Sequence, residues 1–183
     1  MARIIFPDGT EEHEFKPIRD RLADLGVALR QWPAPESERA RRLMEKPALS
    51  DEEKEELLRL VDHRFRELQD EAGYTTRDMI VIHEDITGLA DMLAKFEKIH
   101  FHSDDEVRYV LAGKGYFGFV EPDGGQFLLE VSDGDYINVP ASTEHWFTMG
   151  DSKRIKAVRY FVDSSGWTPH YTERAVQVHT ARA

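Results

Sequence analysis

From Met79 onward the chain breaks into short runs rich in β-branched and aromatic residues, at 107–112, 116–120, 126–131, 136–139, 146–149 and 155–162. Between them lie Gly113-Lys114-Gly115, Pro122-Asp123-Gly124-Gly125, Ser132-Asp133-Gly134-Asp135 and Gly150-Asp151-Ser152, all turn-forming sequences. Many short strands separated by such punctuation predict an all-β sandwich or barrel. The part before residue 75 has a different texture. Pro17 suits a first helical turn, Ile18, Leu22 and Leu25 recur at helical spacing, and Gly26 follows as a stop. A second helix is expected over 37–45. A third is expected over 51–70, where Ser50 and Glu53 form a capping-box pattern and Leu57, Leu58, Val61, Phe65 and Leu68 make one apolar stripe.

No repeat or flexible linker separates the two textures, so 1–183 reads as a single domain. Residues 1–75 form a helix-rich part packed on the barrel, 76–165 the barrel core and 166–183 a C-terminal extension. The composition, with 40% hydrophobic residues of which aromatics are 10% of the chain, is that of a sequence that collapses around a core. A formal charge of −11 excludes a general nucleic-acid or anionic-membrane surface, because phosphates are neutralised by clustered Lys and Arg. The acidic surface is compatible with a monomer. The N-terminus lacks the apolar stretch of a signal peptide and no run approaches a membrane span, which makes the cytoplasm the expected location. With no cysteine there is no thiolate nucleophile or ligand, so a bound metal must be held by nitrogen and oxygen.

Chemistry concentrates in Lys98-Ile99-His100-Phe101-His102-Ser103-Asp104-Asp105-Glu106. Side chains alternate along a strand, so His100 and His102 share a face, and Glu106 keeps that parity if the turn between preserves it. His145 lies far along the chain, and a barrel can return its strand beside the first. Three imidazoles and a carboxylate suit a divalent first-row metal and would leave two neighbouring octahedral positions for an oxygen substrate or dioxygen. Ligand softness alone does not choose among Fe²⁺, Ni²⁺, Co²⁺, Mn²⁺ and Zn²⁺. Asp104 and Asp105 compete with Glu106 as the carboxylate, although a solvent-facing turn is the simpler place for them. A lone His-x-His is weak evidence, since most histidines are surface or structural residues. The combination His-x-His-x₃-Glu, Gly113, then Gly134-Asp135 through Pro140 to His145 is far more specific.

That pattern resembles the two motifs of the cupin superfamily, with Ala94 in place of the first motif's leading Gly, Ser142 where a Gly is expected after Pro140, and Met149 where the second motif closes with Asn. More narrowly, Glu106-Val107-Arg108-Tyr109-Val110-Leu111-Ala112-Gly113-Lys114-Gly115-Tyr116-Phe117, His145-Trp146-Phe147 and Val158-Arg159-Tyr160-Phe161 resemble the acireductone dioxygenases of methionine salvage. Asp8-Gly9-Thr10 and Gly26-Val27 ahead of Trp32 extend the likeness to the N-terminal part.

The resemblance implies a cupin-type barrel (a double-stranded β-helix, or jelly roll) with added N-terminal helices. One Fe²⁺ per chain, or alternatively Ni²⁺, would be held by His100, His102, Glu106 and His145. It implies an acireductone and O₂ as the small-molecule partners. Iron would give formate and 4-methylthio-2-oxobutanoate; nickel would give formate, CO and 3-methylthiopropanoate. Arg108 and Arg159 match family positions at the site, where an enediolate dianion needs forked cationic donors, although surface ion pairing is the commoner fate of an Arg. Phe96, Phe147 and Trp167 match positions near the methylthio group, and aromatic rings pack well on sulfur. Without the likeness each reads as core. Trp146 is expected on the opposite strand face from His145. His13, His63, His83, His170 and His179 are left outside the site, the last two near a C-terminus that reads as weakly ordered. Coordination needs neutral imidazole, so acid is expected to release the metal through about pH 6.5. A metal-dependent isomerase and a non-catalytic metal- or ligand-binding cupin are the rival readings.

Overall fold

The computed structural model describes residues 2–151, 153–163 and 168–180. In chain order its elements are β1 (Arg3–Ile5), β2 (Glu11–Glu12), α1 (Phe15–Asp24), β3 (Ala28–Gln31), α2 (Glu38–Glu45), α3 (Asp51–Leu60), α4 (Asp62–Ala72), β4 (Thr76–Ile82), α5 (Leu89–Phe96), β5 (His100–Phe101), β6 (Glu106–Val120), β7 (Gln126–Ser132), β8 (Asp135–Val139), β9 (His145–Thr148), β10 (Ile155–Phe161) and β11 (His170–Tyr171). Among the described residues every strand pairing is antiparallel. One sheet runs β11-β5-β9-β6-β7-β1-β2 and the other β4-β10-β6-β8-β3.

The two sheets share β6. Its first half, from Glu106, pairs with β8 and β10, and its second half, from Lys114, pairs with β7 and β9. Sequence predicts two strands here with a turn at Gly113-Lys114-Gly115; instead one 15-residue strand bends without reversing. The reason is local. Gly113 takes φ +83°, and a Cβ there would lie 2.1 Å from the Arg154 carbonyl oxygen, so only glycine lets β6 cross from one sheet to the other against β10.

Between the sheets lies an apolar core that includes Ile4, Val110, Phe117, Phe119, Phe127, Leu129, Ile137 and Ala157. A fully buried side chain of this size contributes roughly 1.5–3 kcal/mol relative to exposure. The stretch before residue 75 is more than a helical appendage: β1 pairs with β7 and β3 with β8, threading it into both sheets. Strands so short escape periodicity arguments. The helix expected over 51–70 is divided at Val61, whose backbone (φ −109°, ψ 12°) leaves helical geometry. Both halves then lay apolar residues against the second sheet, where Leu57, Leu58, Val61 and Leu68 meet Val107, Tyr109, Val158 and Tyr160. Asp62, opening α4, is held by Arg77 of β4 at 2.7 Å. The α5 helix was not foreseen. Its Leu89 and Leu93 face the core, and Phe96 at its end reaches the cavity described below.

The C-terminal segment is also more ordered than its sequence suggests. Gln126, buried in β7, accepts from the Gln177 amide at 2.8 Å and donates to the Ala175 carbonyl at 3.0 Å. Val178 packs with Ile99, Leu128 and Trp146 on the outer face of the first sheet. Trp146 thus points away from the face of its neighbour His145, as alternation requires.

Candidate metal centre

Four side chains converge at one end of the fold. β5 pairs with β9 through His100 and His145 themselves, so their rings lie 4.6 Å apart, centroid to centroid. His102 follows β5 on the same face, its ring 4.9 Å from that of His100. Glu106 opens β6 and places Oε2 3.0 Å from His102 Nε2 and 3.3 Å from His145 Nε2. One donor atom from each residue falls within 4.8 Å of all the others, and all four residues are buried.

Main-chain carbonyls set the tautomers. His100 Nδ1 lies 2.7 Å from the Lys98 oxygen, His145 Nδ1 2.8 Å from Thr143 and His102 Nδ1 3.1 Å from Thr168. A carbonyl can only accept, so each Nδ1 carries the proton and each Nε2 presents its lone pair. Lone pairs from His102 and His145 therefore face a carboxylate oxygen across about a hydrogen-bond length, an arrangement of acceptors that a cation among them makes favourable. The residues fit a divalent metal on this ground. Burial, reinforced by His145, lowers His100 to about 4, which keeps this imidazole in its coordinating form below the 6.5 expected from sequence. Burial opposes ionisation of Glu106, but the Arg108 charge beside it favours the carboxylate, and the carboxyl is held well below the ordinary range.

Glu106 divides its oxygens: Oε1 accepts from Arg108 Nε at 2.7 Å while Oε2 faces the imidazoles. The Arg108 guanidinium in turn sits 5.9 Å from the Phe147 ring centroid. Above this floor opens a cavity of about 620 Å³. Arg108, Arg159, Phe96 and Phe147 all line it beside the four donors, and Trp167 lies outside the described residues.

Other lining residues were not anticipated. Phe161 shares the strand parity of Arg159 and was legible on that ground; Lys95, Asp78 and Tyr171 belong to no motif. Tyr171 pairs with His100 across β11 and β5, its ring centroid 5.9 Å from the imidazole. Asp105 is outside the four-donor cluster: it accepts from the Ala141 amide at 3.0 Å and from Asn138 Nδ2 at 3.3 Å. With the Ser142 amide donating to the His102 carbonyl at 2.9 Å, it fastens the segment of His102 and Glu106 to the one that leads into His145. Ser142 itself adopts φ +66°, the conformation for which the motif's usual glycine is suited. Among the described residues, none of His13, His63, His83, His170 and His179 joins the cluster. No described helix is long and apolar enough to cross a membrane.

Comparison with known proteins agrees with this geometry. The ARD/ARD′ family model matches residues 20–169. An acireductone dioxygenase of Microcystis aeruginosa is 49% identical over 177 residues, covering 97% of this chain and 96% of that protein. One from Trichodesmium erythraeum is 47% identical over 176 residues, covering 96% and 97%. Among solved structures, an acireductone dioxygenase from Bacillus anthracis with a cadmium ion in its active centre superposes with a TM-score of 0.83 at 31% identity, over 93% of this chain and 98% of that one. A cupin scaffold, a buried four-donor cluster and relatives matched over nearly their full length lead to one conclusion: this chain belongs to the acireductone dioxygenase family of enzymes.

Proposed function

We propose that the chain cleaves an acireductone with O₂ at one divalent cation, Fe²⁺ or alternatively Ni²⁺, held by His100, His102, Glu106 and His145. The single observation that carries this is the buried set of inward lone pairs at the floor of a cavity flanked by two arginines. When bound, the cation supplies Lewis acidity and a common template for the enediolate and dioxygen. Arg108, braced on Glu106, presents positive charge to the substrate oxyanion, and Arg159 adds a second charge from β10. Phe96 and Phe147, with Trp167 as the third member expected from the family pattern, form the wall for the methylthio tail and keep water from the reacting carbons. The substrate binds already ionised, so no side chain is required as a strong base.

With Fe²⁺ the products are formate and 4-methylthio-2-oxobutanoate, returning carbon to methionine; with Ni²⁺ they are formate, CO and 3-methylthiopropanoate. The same reading takes residues 1–183 as one cytoplasmic domain whose two sheets close into a barrel, supported by the single core they share. The test is replacement of His100 or Glu106 by Ala. Bound metal and oxygen uptake with a synthetic acireductone should be lost together, and full uptake by either metal-depleted variant would refute the site.

A further inference from the structure

Asp78, Arg159 and Arg108 stand in one row across three neighbouring strands. Arg159 of β10 is registered opposite Asp78 of β4 on one side and opposite Arg108 of β6 on the other. Directly opposed residues share a sheet face, and Glu106, two positions before Arg108, stands on it as well. All four line the cavity. Each arginine meets a carboxylate. Arg108 Nε donates to Glu106 Oε1 at 2.7 Å; Arg159 Nε donates to Asp78 Oδ1 at 2.7 Å, and its Nη2 donates to Oδ2, closing a two-pronged clamp. Across the three strands the order is acid, base, base, and the second acid, Glu106, stands two positions before Arg108 on β6.

Two guanidinium groups opposed on adjacent strands repel one another, and a carboxylate paired with each offsets that repulsion. The four side chains cancel in charge. Lys95 lines the cavity as well, so with the divalent cation the site stays positive towards a doubly ionised enediol. The Asp78 side chain is 47% exposed, and an ion pair so placed contributes little to stability, which leaves orientation as its task.

We propose that Asp78 is a positioning residue: by clamping the Nε–Nη2 edge of Arg159 it fixes that guanidinium toward the cavity, where it meets the substrate oxyanion. This rests on the acireductone assignment above. Asp78 is outside the four-donor cluster and acts through Arg159, so its removal spares the metal and impairs substrate capture.

The experiment compares oxygen uptake with a synthetic acireductone for the wild-type holoenzyme, Asp78→Asn, Asp78→Glu, Arg159→Ala and the Asp78→Asn/Arg159→Ala double variant, with elemental analysis of each. Asp78→Asn should raise KM about ten-fold while kcat changes by less than about three-fold and one divalent cation per chain is retained. Asp78→Glu should recover most of the loss, since it keeps the charge and lengthens the arm by one methylene. In the Arg159→Ala background Asp78→Asn should have no further effect. A wild-type KM in Asp78→Asn, or an equal loss in both backgrounds, overturns the proposal and leaves the enzymatic assignment intact. Metal-loaded wild type that consumes no oxygen with acireductone overturns the assignment, and the proposal with it.

Discussion

His102 and Thr168 are joined across the chain by a 3.1 Å hydrogen bond from the imidazole Nδ1 to a main-chain carbonyl. The C-terminal segment thereby fixes the tautomer of a proposed metal ligand, an outer contact of the kind that usually changes metal affinity 10–100-fold when lost.

A variant ending at Asp163 should accordingly bind its divalent cation roughly 10–100-fold more weakly, read by competition with a chelator. It should also melt at a lower temperature, because Ile99, Leu128 and Trp146 lose Val178 as cover. Unchanged metal affinity would show that Thr168 does no more than pack.

Gly113→Ala should destabilise the fold by about 3 kcal/mol or more, since a side chain is asked to adopt φ +83° with its Cβ driven into the Arg154 carbonyl. Urea denaturation measures this directly. A near-wild-type midpoint would mean that β6 can cross between the sheets some other way.

At Ser142 the opposite sign is expected. Its φ of +66° costs an L-residue roughly 1–2 kcal/mol, and glycine relieves most of this at some expense in unfolded-chain entropy. Ser142→Gly should raise stability by up to about 1 kcal/mol without changing metal content. A lower melting temperature would contradict it.

Lys156 gives the fold a dependence on alkaline pH. This buried ammonium donates to the Met44 and Lys46 carbonyls at 2.9 and 2.5 Å, beside Arg154 donating to Glu45, so the two side chains cap the end of α2. Burial, assisted by Arg154, lowers Lys156 from 10.5 to about 8. The folded state thus binds fewer protons than the unfolded chain between those values. The penalty of burying the charge is present in full below pH 8 and is relieved as pH rises through that window. Stability of the wild type relative to Lys156→Met should increase by up to about 1.4 kcal/mol per pH unit from 8 towards 10. Near pH 10 Tyr109 and Tyr136, pushed up by burial to about 12, begin to reverse the slope in both proteins. A gap constant with pH would show that folding leaves Lys156 with the proton affinity it has in the unfolded chain.

Sequence went far with the four donors because strand alternation and motif spacing constrain side-chain direction as well as identity. It stopped where direction depends on distant partners. Gly113 looked like a turn because glycine is equally at home in a reversal and in a bend, and only the carbonyl of Arg154 decides between them. Asp105 looked like solvent-facing loop, since its partners Asn138 and Ala141 are brought near by tertiary folding. Asp78 carried no signal at all: its place beside Arg159 is a matter of register between β4 and β10. The strands β1 and β3 were hidden by brevity, their formation being dictated by the edges of β7 and β8 awaiting a neighbour.

The strand that begins with Glu106 and ends at Val120 is a rib common to both halves of the molecule. Nicking the backbone within it would detach the proposed metal floor from the hairpin beyond, whereas a nick at the exposed Pro122 and Asp123 would open only a turn. Melting and loss of the proposed metal site should therefore be one event, and the last amides to exchange with solvent deuterium should be those along that rib.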